Sequence, residues 1–524
     1  MDASLLRPTE AERVRSAPPL SRPQGARSRS STALHVACVA VVIVGIGLRF
    51  GTSSHLWLDE ALTVNIARLP VSHIPDALRL DGSPPLYYFL LHYWIALFGA
   101  SGVAVRALSA VFAIAALPLI WVAGHRVGQR KGAVAALLLL SASSFAIRFA
   151  TEARMYSLLG LLTLGGFLVL LRLLERPSVP TAAGVAVISG LMLLTHYWSL
   201  YVLATVGLLL AVRWYRRRDR NSLIAVVAVA AGGVFLVPWL SVFLYQLAHT
   251  GTPWADKPTF SAVLETVRQW SGGGGDAGQV LSLFFLTLTG LALFGVAVDS
   301  RRIQLDLRTR PGVRAVAVVC FGTLLVALLA GLASSSAYVV RYTAVVHPLF
   351  LLILAFGTLA LADARIRYAV LAVAIMLGLI AAIPNTGNRR TQAGVVAAAL
   401  NRSAGPGDVV AYCPDQLGPS VSRLVTARVT QLTFPDAGSP NFVDWVDYAT
   451  RNHAARTAPF VRMLDERAGS HTLWLVWSPG YKTFGQKCSN MVDQLKALRP
   501  DMKRVVKVSL KYEERMGLIR YKPG

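Results

Sequence analysis

The sequence predicts an all-α polytopic membrane protein that carries a small α/β domain at its C-terminal end. Three observations predict it. Hydrophobic residues make up 54% of the 524-residue chain and charged residues only 15%, where a soluble domain carries about 25% charge. Apolar stretches recur along residues 33–384 at roughly the length of about 20 helical residues that a bilayer core demands. Beyond residue 384 the pattern changes to short apolar runs separated by polar turns. This composition excludes a soluble enzyme, a disordered chain and a nucleic-acid-binding domain. The net charge of +25 would suggest nucleic acid on a soluble chain. On a membrane chain its placement sets orientation instead.

Residues 1–32 form a polar, Arg-rich tail without the pattern of a cleavable signal peptide. Eleven apolar stretches follow, at 33–50, 103–123, 132–150, 156–174, 181–196, 198–214, 222–245, 280–298, 313–333, 342–361 and 368–384. The run 85–98 is also apolar, but its 14 residues would cover only about 21 Å as helix. Laid along the membrane surface, it leaves segments that alternate from a cytoplasmic N-terminus. Inner loops and tail then hold 23 basic residues, and outer loops and helix ends hold 9. If the run spanned, Arg213, Arg216, Arg217, Arg218 and Arg220 would turn outward, against the positive-inside tendency. The sequence therefore predicts about 11 spans over 33–384 in a bacterial cell membrane. Interfacial helices belong to a first outer loop at 51–102, and the domain at 385–524 is extracytoplasmic.

In that domain the expected strands are 409–413, 429–434, 472–477 and 503–510, with helical patterns at 443–453 and 487–498. Cys38 and Cys320 fall in apolar runs, where a thiol behaves as a small hydrophobe. Cys413 and Cys488 lie in the outer domain, where an oxidising compartment permits a bridge. No cysteine spacing resembles a zinc site. The glycine run 272–275, in the loop 246–279, reads as a flexible connector.

The unusual polar residues all map to the outer surface under this topology. Asp59 and Glu60 follow the first span directly, and paired carboxylates at an interface are costly unless paired, hydrated or used. Capping of the next helix by Asp59 is the plain alternative. Asp81 precedes Ser83-Pro84-Pro85, where Ser83 fits a cap and proline fits a first helical turn. Tyr87 and Tyr88 suit an interfacial helix. The third span ends near Arg148, Glu152, Arg154 and Tyr156, where Glu152 and Arg154 fit an ion pair. His196 and Tyr197 join the fifth and sixth spans, and Arg341 and Tyr342 open the tenth, with His347 two turns inward. A carboxylate there can act as a general base on a hydroxyl. Arginines facing it can hold a lipid-borne phosphate and stabilise a leaving group. No Ser, Cys or His nucleophile motif accompanies them. The set fits glycosyl transfer from a lipid-linked sugar phosphate.

At these residues the sequence resembles the GT-C superfamily of polyprenyl-phosphate-sugar-dependent glycosyltransferases. Within it the chain is similar to the family 39-like bacterial group, related to protein O-mannosyltransferases and lipid A aminoarabinose transferases. The order Leu58-Asp59-Glu60-Ala61, Asp81-Gly82-Ser83-Pro84-Pro85-Leu86-Tyr87-Tyr88, Glu152-Ala153-Arg154-Met155-Tyr156, Thr195-His196-Tyr197 and Arg341-Tyr342 carries the likeness over residues 33–384. The resemblance implies a GT-C fold with Asp59 as the catalytic carboxylate. Arg154, Arg341 and Tyr342 are the donor-phosphate candidates. Glu60, Asp81, Tyr87, Glu152, Tyr156, His196 and Tyr197 are the supporting or substrate-binding ones. Many relatives carry His before the double proline, and Ser83 stands there instead. The expected partners are a polyprenyl-phosphate-sugar donor, a glycan, glycolipid or protein acceptor, and the bilayer, with no nucleic acid. No cofactor is required by this reading, and a divalent metal is left open. Mannose is the first expectation for the sugar, with arabinose and glucose as alternatives. A transporter or flippase of lipid-linked saccharides is the rival class; such proteins commonly carry internal repeats, and none is seen here.

Overall fold

The computed structural model describes residues 24–253, 255, 257–334 and 338–523. Most of the basic tail, residues 1–23, lies outside the described residues. The chain folds as two compact units. One comprises Met1–Gly51, Arg106–Trp239 and Lys257–Thr386, and the other comprises Thr52–Val105, Leu240–Asp256 and Gly387–Gly524.

The first unit is helical, because an apolar medium leaves backbone N–H and C=O groups no partners except each other. All eleven expected stretches are helical over most of their length. Among the described residues, six helices are long and apolar enough to cross a membrane: Gly102–Ala142, Tyr156–Glu175, Arg220–His249, Asp276–Phe294, Pro311–Ala333 and Ala364–Gly387. Thr32–Leu48, Val179–Leu193 and His347–Thr358 are shorter apolar helices, and Ser199–Arg217 completes the set. The chain is thus a multi-pass membrane protein.

Small residues and one arginine lock these helices together. A Cβ on Gly45 would lie 2.3 Å from the Ser141 carbonyl oxygen, and one on Gly378 would lie 2.6 Å from that of Ala142. Glycine at both positions lets two helices press against the end of Gly102–Ala142. Arg49, buried, donates from Nη2 to the Leu140 carbonyl at 2.7 Å and from Nη1 to those of Gly45 at 2.7 Å and Ser141 at 3.1 Å. A cation at a helix C-terminus satisfies carbonyls that the helix itself cannot. At the other end of this hairpin, Gly128 and Gln129 leave helical geometry, inside the loop 124–131 that the charge pattern expects.

Three expectations are corrected in this unit. The tenth stretch is not one helix: Val340–Val345 is a 3-10 turn, and His347–Thr358 follows with all twelve residues buried. A helix apolar all round belongs inside a bundle, and this one is enclosed by its neighbours. The eighth stretch stops at Phe294 and runs into a short hairpin, β1 (Gly295–Ala297) antiparallel to β2 (Ile303–Leu305). The glycine run is no loose connector. Gly272, at φ +114°, turns so tightly that a Cβ would sit 2.5 Å from that of Ala381, a conformation and a space that suit glycine.

The second unit holds a five-stranded sheet of β3 (Val409–Cys413), β4 (Thr430–Thr433), β5 (Leu473–Trp477), β6 (Met502–Val506) and β7 (Gly517–Tyr521), ordered β4-β3-β5-β7-β6. β3 pairs parallel with β4 and β5, and β7 runs antiparallel to β5 and β6. β3 is buried throughout, as a central strand covered on both faces must be. The four expected strands are present, β6 shorter than expected, and β7 escaped the sequence pattern. Of the expected helix 443–453 only Tyr448–Ala454 is helical, whereas Lys487–Leu498 matches its expected bounds.

This unit also takes in residues 52–105, built from the helices Leu58–Ala67, Ile74–Asp81 and Leu86–Phe98. Asn65 donates to the Asn441 carbonyl at 2.8 Å, and the Arg423 guanidinium donates to Asn65 at 3.0 Å. The Trp445 N–H donates to the Leu80 carbonyl at 3.0 Å, and the Asp447 N–H to that of His249 at 2.8 Å. Cys413 and Cys488 form a disulfide with Cα atoms 5.4 Å apart, joining the end of β3 to the helix Lys487–Leu498. Cys38 and Cys320 remain thiols. Titration of the denatured, unreduced protein should therefore find two thiols, and four would remove the bridge.

Candidate active site

Breaks in the helices of the first unit bring distant segments together. The helix Gly102–Ala142 ends at Ser143, whose hydroxyl caps Ser144–Ala150 by accepting from the Ala146 N–H at 3.2 Å. The turn 151–155 then leads into Tyr156–Glu175 and exposes polar side chains to one another. Arg148 donates from Nε to Glu152 at 2.9 Å, and the Glu152 carboxylate is almost fully buried. Arg148, one helical turn back, is an ion-pair partner of Glu152. Ser109 fixes the Arg154 backbone by donating to its carbonyl at 3.0 Å.

Two further segments meet this turn. Tyr156 packs near His196, with ring centroids 6.1 Å apart, and His196 lies 4.7 Å from the Tyr342 ring. The Arg341 guanidinium sits 5.6 Å from the Tyr342 centroid. The charges of Arg154 and Arg341 both reach His196. His196 is oriented by its own turn, because its Nδ1 accepts from the Trp198 N–H at 3.1 Å. Arg154, Tyr156, His196, Arg341 and Tyr342, all expected from sequence, therefore form one cluster. Two arginines beside aromatic rings make a site for an oxyanion: guanidinium offers planar, paired donors that suit a phosphate. The Tyr197 hydroxyl accepts from Trp239 Nε1 at 3.1 Å. A small cavity of about 40 Å³ adjoins the cluster through Tyr156 and is lined mainly by apolar residues, with Arg49 and His347 at its wall.

The acidic residues belong to the second unit. The helix Leu58–Ala67 begins after Trp57, so Asp59 lies in its first turn and does not cap it. A carboxylate there is favoured by the helix dipole. Asp59 is half-buried and Glu60 fully buried. Glu60 lies within electrostatic range of Arg423, whose guanidinium is lowered from its usual pKa first by burial and then by Arg68, with Glu60 opposing. Asp81 accepts from the Tyr88 hydroxyl at 2.8 Å. Tyr87 is buried, edge-on to Tyr88. The expected Ser83 cap is absent; Pro85 precedes Leu86–Phe98 without a side-chain cap.

One residue of this cluster was not legible in the sequence. Glu514, buried between β6 and β7, accepts from the Leu58 N–H at 3.2 Å and from the Ser420 hydroxyl at 3.2 Å. Thr391 also hydrogen-bonds it. Burial pushes its carboxyl up to about 8, and the neighbouring charge of Asp59 pushes in the same direction, against the three hydrogen bonds. No motif marks it, because its partners lie 94 to 456 residues away in the chain. Among the described residues, no three His, Cys, Asp or Glu side chains are grouped as a metal would need.

The second unit and the bundle together define a class, that of the multi-pass membrane proteins of GT-C fold. The chain superposes on ArnT from Cupriavidus metallidurans in the apo state with a TM-score of 0.62 at 13% identity, covering 94% of this chain and 98% of that one. For ArnT bound to undecaprenyl phosphate the TM-score is 0.58 at 14% identity, over 93% and 98% of the two chains. For the Archaeoglobus fulgidus oligosaccharyltransferase tethered to an acceptor peptide it is 0.50 at 11% identity, over 89% and 72%. Residues 82–242 match the family model of dolichyl-phosphate-mannose-protein mannosyltransferase. No curated protein matches the chain significantly by sequence. The chain therefore shares its fold with these solved membrane glycosyltransferases.

Glu514 makes stability depend on pH. An acid whose folded pKa lies above its unfolded value near 4.5 stabilises most below the unfolded value and loses that contribution as pH rises through the folded one. Compared with Glu514→Gln, the wild-type melting temperature should fall between about pH 5 and pH 8 and level off above. Parallel curves for the two proteins across that range would contradict the assignment.

Proposed function

We propose that the protein transfers one sugar, mannose first, from a polyprenyl-monophosphate carrier to an acceptor hydroxyl on the outer face of the cell membrane. The observation that carries this reading is the cluster of Arg154, Arg341, Tyr156, His196 and Tyr342, gathered from three segments far apart in sequence. The match over residues 82–242 to the mannosyltransferase family model supports a mannosyl donor. The likeness to ArnT bound to undecaprenyl phosphate supports a polyprenyl-phosphate carrier.

In this mechanism Asp59 takes the proton of the acceptor hydroxyl as that oxygen attacks the anomeric carbon. The bond from that carbon to the phosphate oxygen breaks, and its electron pair leaves with the lipid phosphate. Attack and departure on opposite faces invert the anomeric configuration. Phosphate leaves without protonation, so a second acid is unnecessary; Arg154 and Arg341 stabilise its charge instead. Asp59, half-buried at the start of a helix, has both water and a helix dipole to hold its charge. Glu60, about 100° round that helix and buried beside Arg423, supports the loop and is not the base.

Purified protein given polyprenyl-phosphate-linked mannose, glucose or arabinose should turn over the first most efficiently. Asp59→Asn should lose about 10²–10⁴-fold in turnover while still binding donor, and NMR of the product should show inversion. Retention of configuration, or near-normal turnover by this variant, would remove the single-displacement scheme. Arg154→Lys and Arg341→Lys keep the charge but lose the paired donors; each should weaken donor use with the fold intact. Transport of the intact carrier without any product would point to a flippase.

A further inference from the structure

The helix that bears Asp59 starts without a local cap. Trp57 precedes it and its side chain does not cap it, and the first N–H groups of a helix have no partner within the helix. The partner comes from the far end of the chain. Glu514 accepts from the Leu58 N–H, one residue before Asp59, at 3.2 Å.

Glu514 is itself held from several sides. Ser420 donates to the same oxygen at 3.2 Å, and Thr391 hydrogen-bonds the carboxyl as well. Its backbone is pinned at both ends: the Glu514 N–H donates to the Arg390 carbonyl at 2.8 Å, and the Gln392 N–H donates to the Glu514 carbonyl at 3.0 Å. Gln392 gathers the rest of the loop. Its Nε2 donates to the Lys507 carbonyl at 2.7 Å, and its Oε1 accepts from the N–H groups of Ser509 at 3.1 Å and Met516 at 3.2 Å. Seven hydrogen bonds on one loop thus place a single carboxyl oxygen under Leu58.

A buried carboxyl is an expensive cap. An amide or hydroxyl would accept the same N–H without the cost of placing an ionisable group next to Asp59. What the loop fixes is the place of the accepting oxygen beneath Leu58, which contacts from several sides hold. We propose that Glu514 is a positioning residue for the transfer reaction, fixing the start of the helix Leu58–Ala67 and so the direction of Asp59. The C-terminal domain would then complete the catalytic constellation, and Ser420 and Thr391 would hold Glu514 in place. This inference rests on Asp59 as the base.

The test compares kcat and donor KM for full-length protein with polyprenyl-phosphate-mannose, using Glu514→Ala, Glu514→Gln, Asp59→Asn and the double variant of Asp59→Asn with Glu514→Ala. Small misplacements of a catalytic group cost up to about a hundredfold in rate. Glu514→Ala should lower kcat by about ten- to a hundredfold with donor KM little changed. Glu514→Gln should restore most of the rate, because its amide oxygen still accepts from Leu58. The double variant should be no slower than Asp59→Asn alone, since residues acting through one group do not add. Wild-type kcat in Glu514→Ala, or losses that multiply in the double variant, would overturn the proposal. Near-normal turnover by Asp59→Asn would instead remove the reading of Asp59, and with it this role for Glu514. If Glu514→Ala does not fold, Ser420→Ala carries the test: a several-fold drop in kcat at unchanged KM is expected, and no drop overturns the proposal.

Discussion

The constraint on which the helical unit depends is that lipid offers no hydrogen bonds. A backbone that stops being helical within an apolar bundle must find partners in the protein, so every break is a place where polar groups are gathered. Ser143 caps its own break and meets His347 across 3.3 Å. The break at 194–198 is closed by Ser199 donating to the Met192 carbonyl at 2.7 Å and by Trp198 on His196. The 3-10 turn Val340–Val345 is tied down when Thr163 donates to the Val345 carbonyl at 2.8 Å and Trp270 donates to Thr343 at 2.9 Å. The cluster of two arginines and three aromatic rings sits among these breaks. Its polar character follows from the rule that forced them to be satisfied.

The same rule sorts the charges. Arg49 is tolerated inside the bundle because three carbonyls surround it, and Glu152 because Arg148 lies one turn away. Removing one partner of such a buried pair leaves an uncompensated charge, a change worth about 3–5 kcal/mol. In the second unit, Asp408 plays a comparable structural part. It accepts from the Thr472 N–H and from Trp474 Nε1 at 3.0 and 2.9 Å, and so stitches β3 to β5 below the edge of the core.

Much of this was legible from the sequence, and the reasons are local. Apolar length located the helices, because that signal needs only neighbours in the chain. Short apolar runs bounded by polar turns revealed β3 and β5. β7 was missed because Gly517 and Arg520 interrupt its pattern, and it becomes a strand only through pairing with β5 and β6. The glycine run misled because composition cannot say what packs against a turn. Ser83 misled because a residue before two prolines fits a cap whether or not it makes one. Glu514 could not be found at all: its chemistry is defined by Leu58, Thr391 and Ser420, none of them near it in sequence. The arginines were found because membrane burial makes any charge conspicuous.

The bond between Leu58 and Glu514 spans 456 residues, and a ribosome makes the chain from one end. At about 5–20 residues per second, roughly 20 to 90 s pass between the synthesis of the helix that bears Asp59 and that of the carboxyl that caps it. During that interval Asn65, Leu80 and Leu58 lack the groups that later bind them, since Arg423, Asn441, Trp445 and Glu514 all come from beyond residue 387. The first loop is therefore an early product with a late partner. Its helices are made well before the side chains and backbone groups that hold them, and Asp59 acquires its present surroundings only after residue 514 has been added.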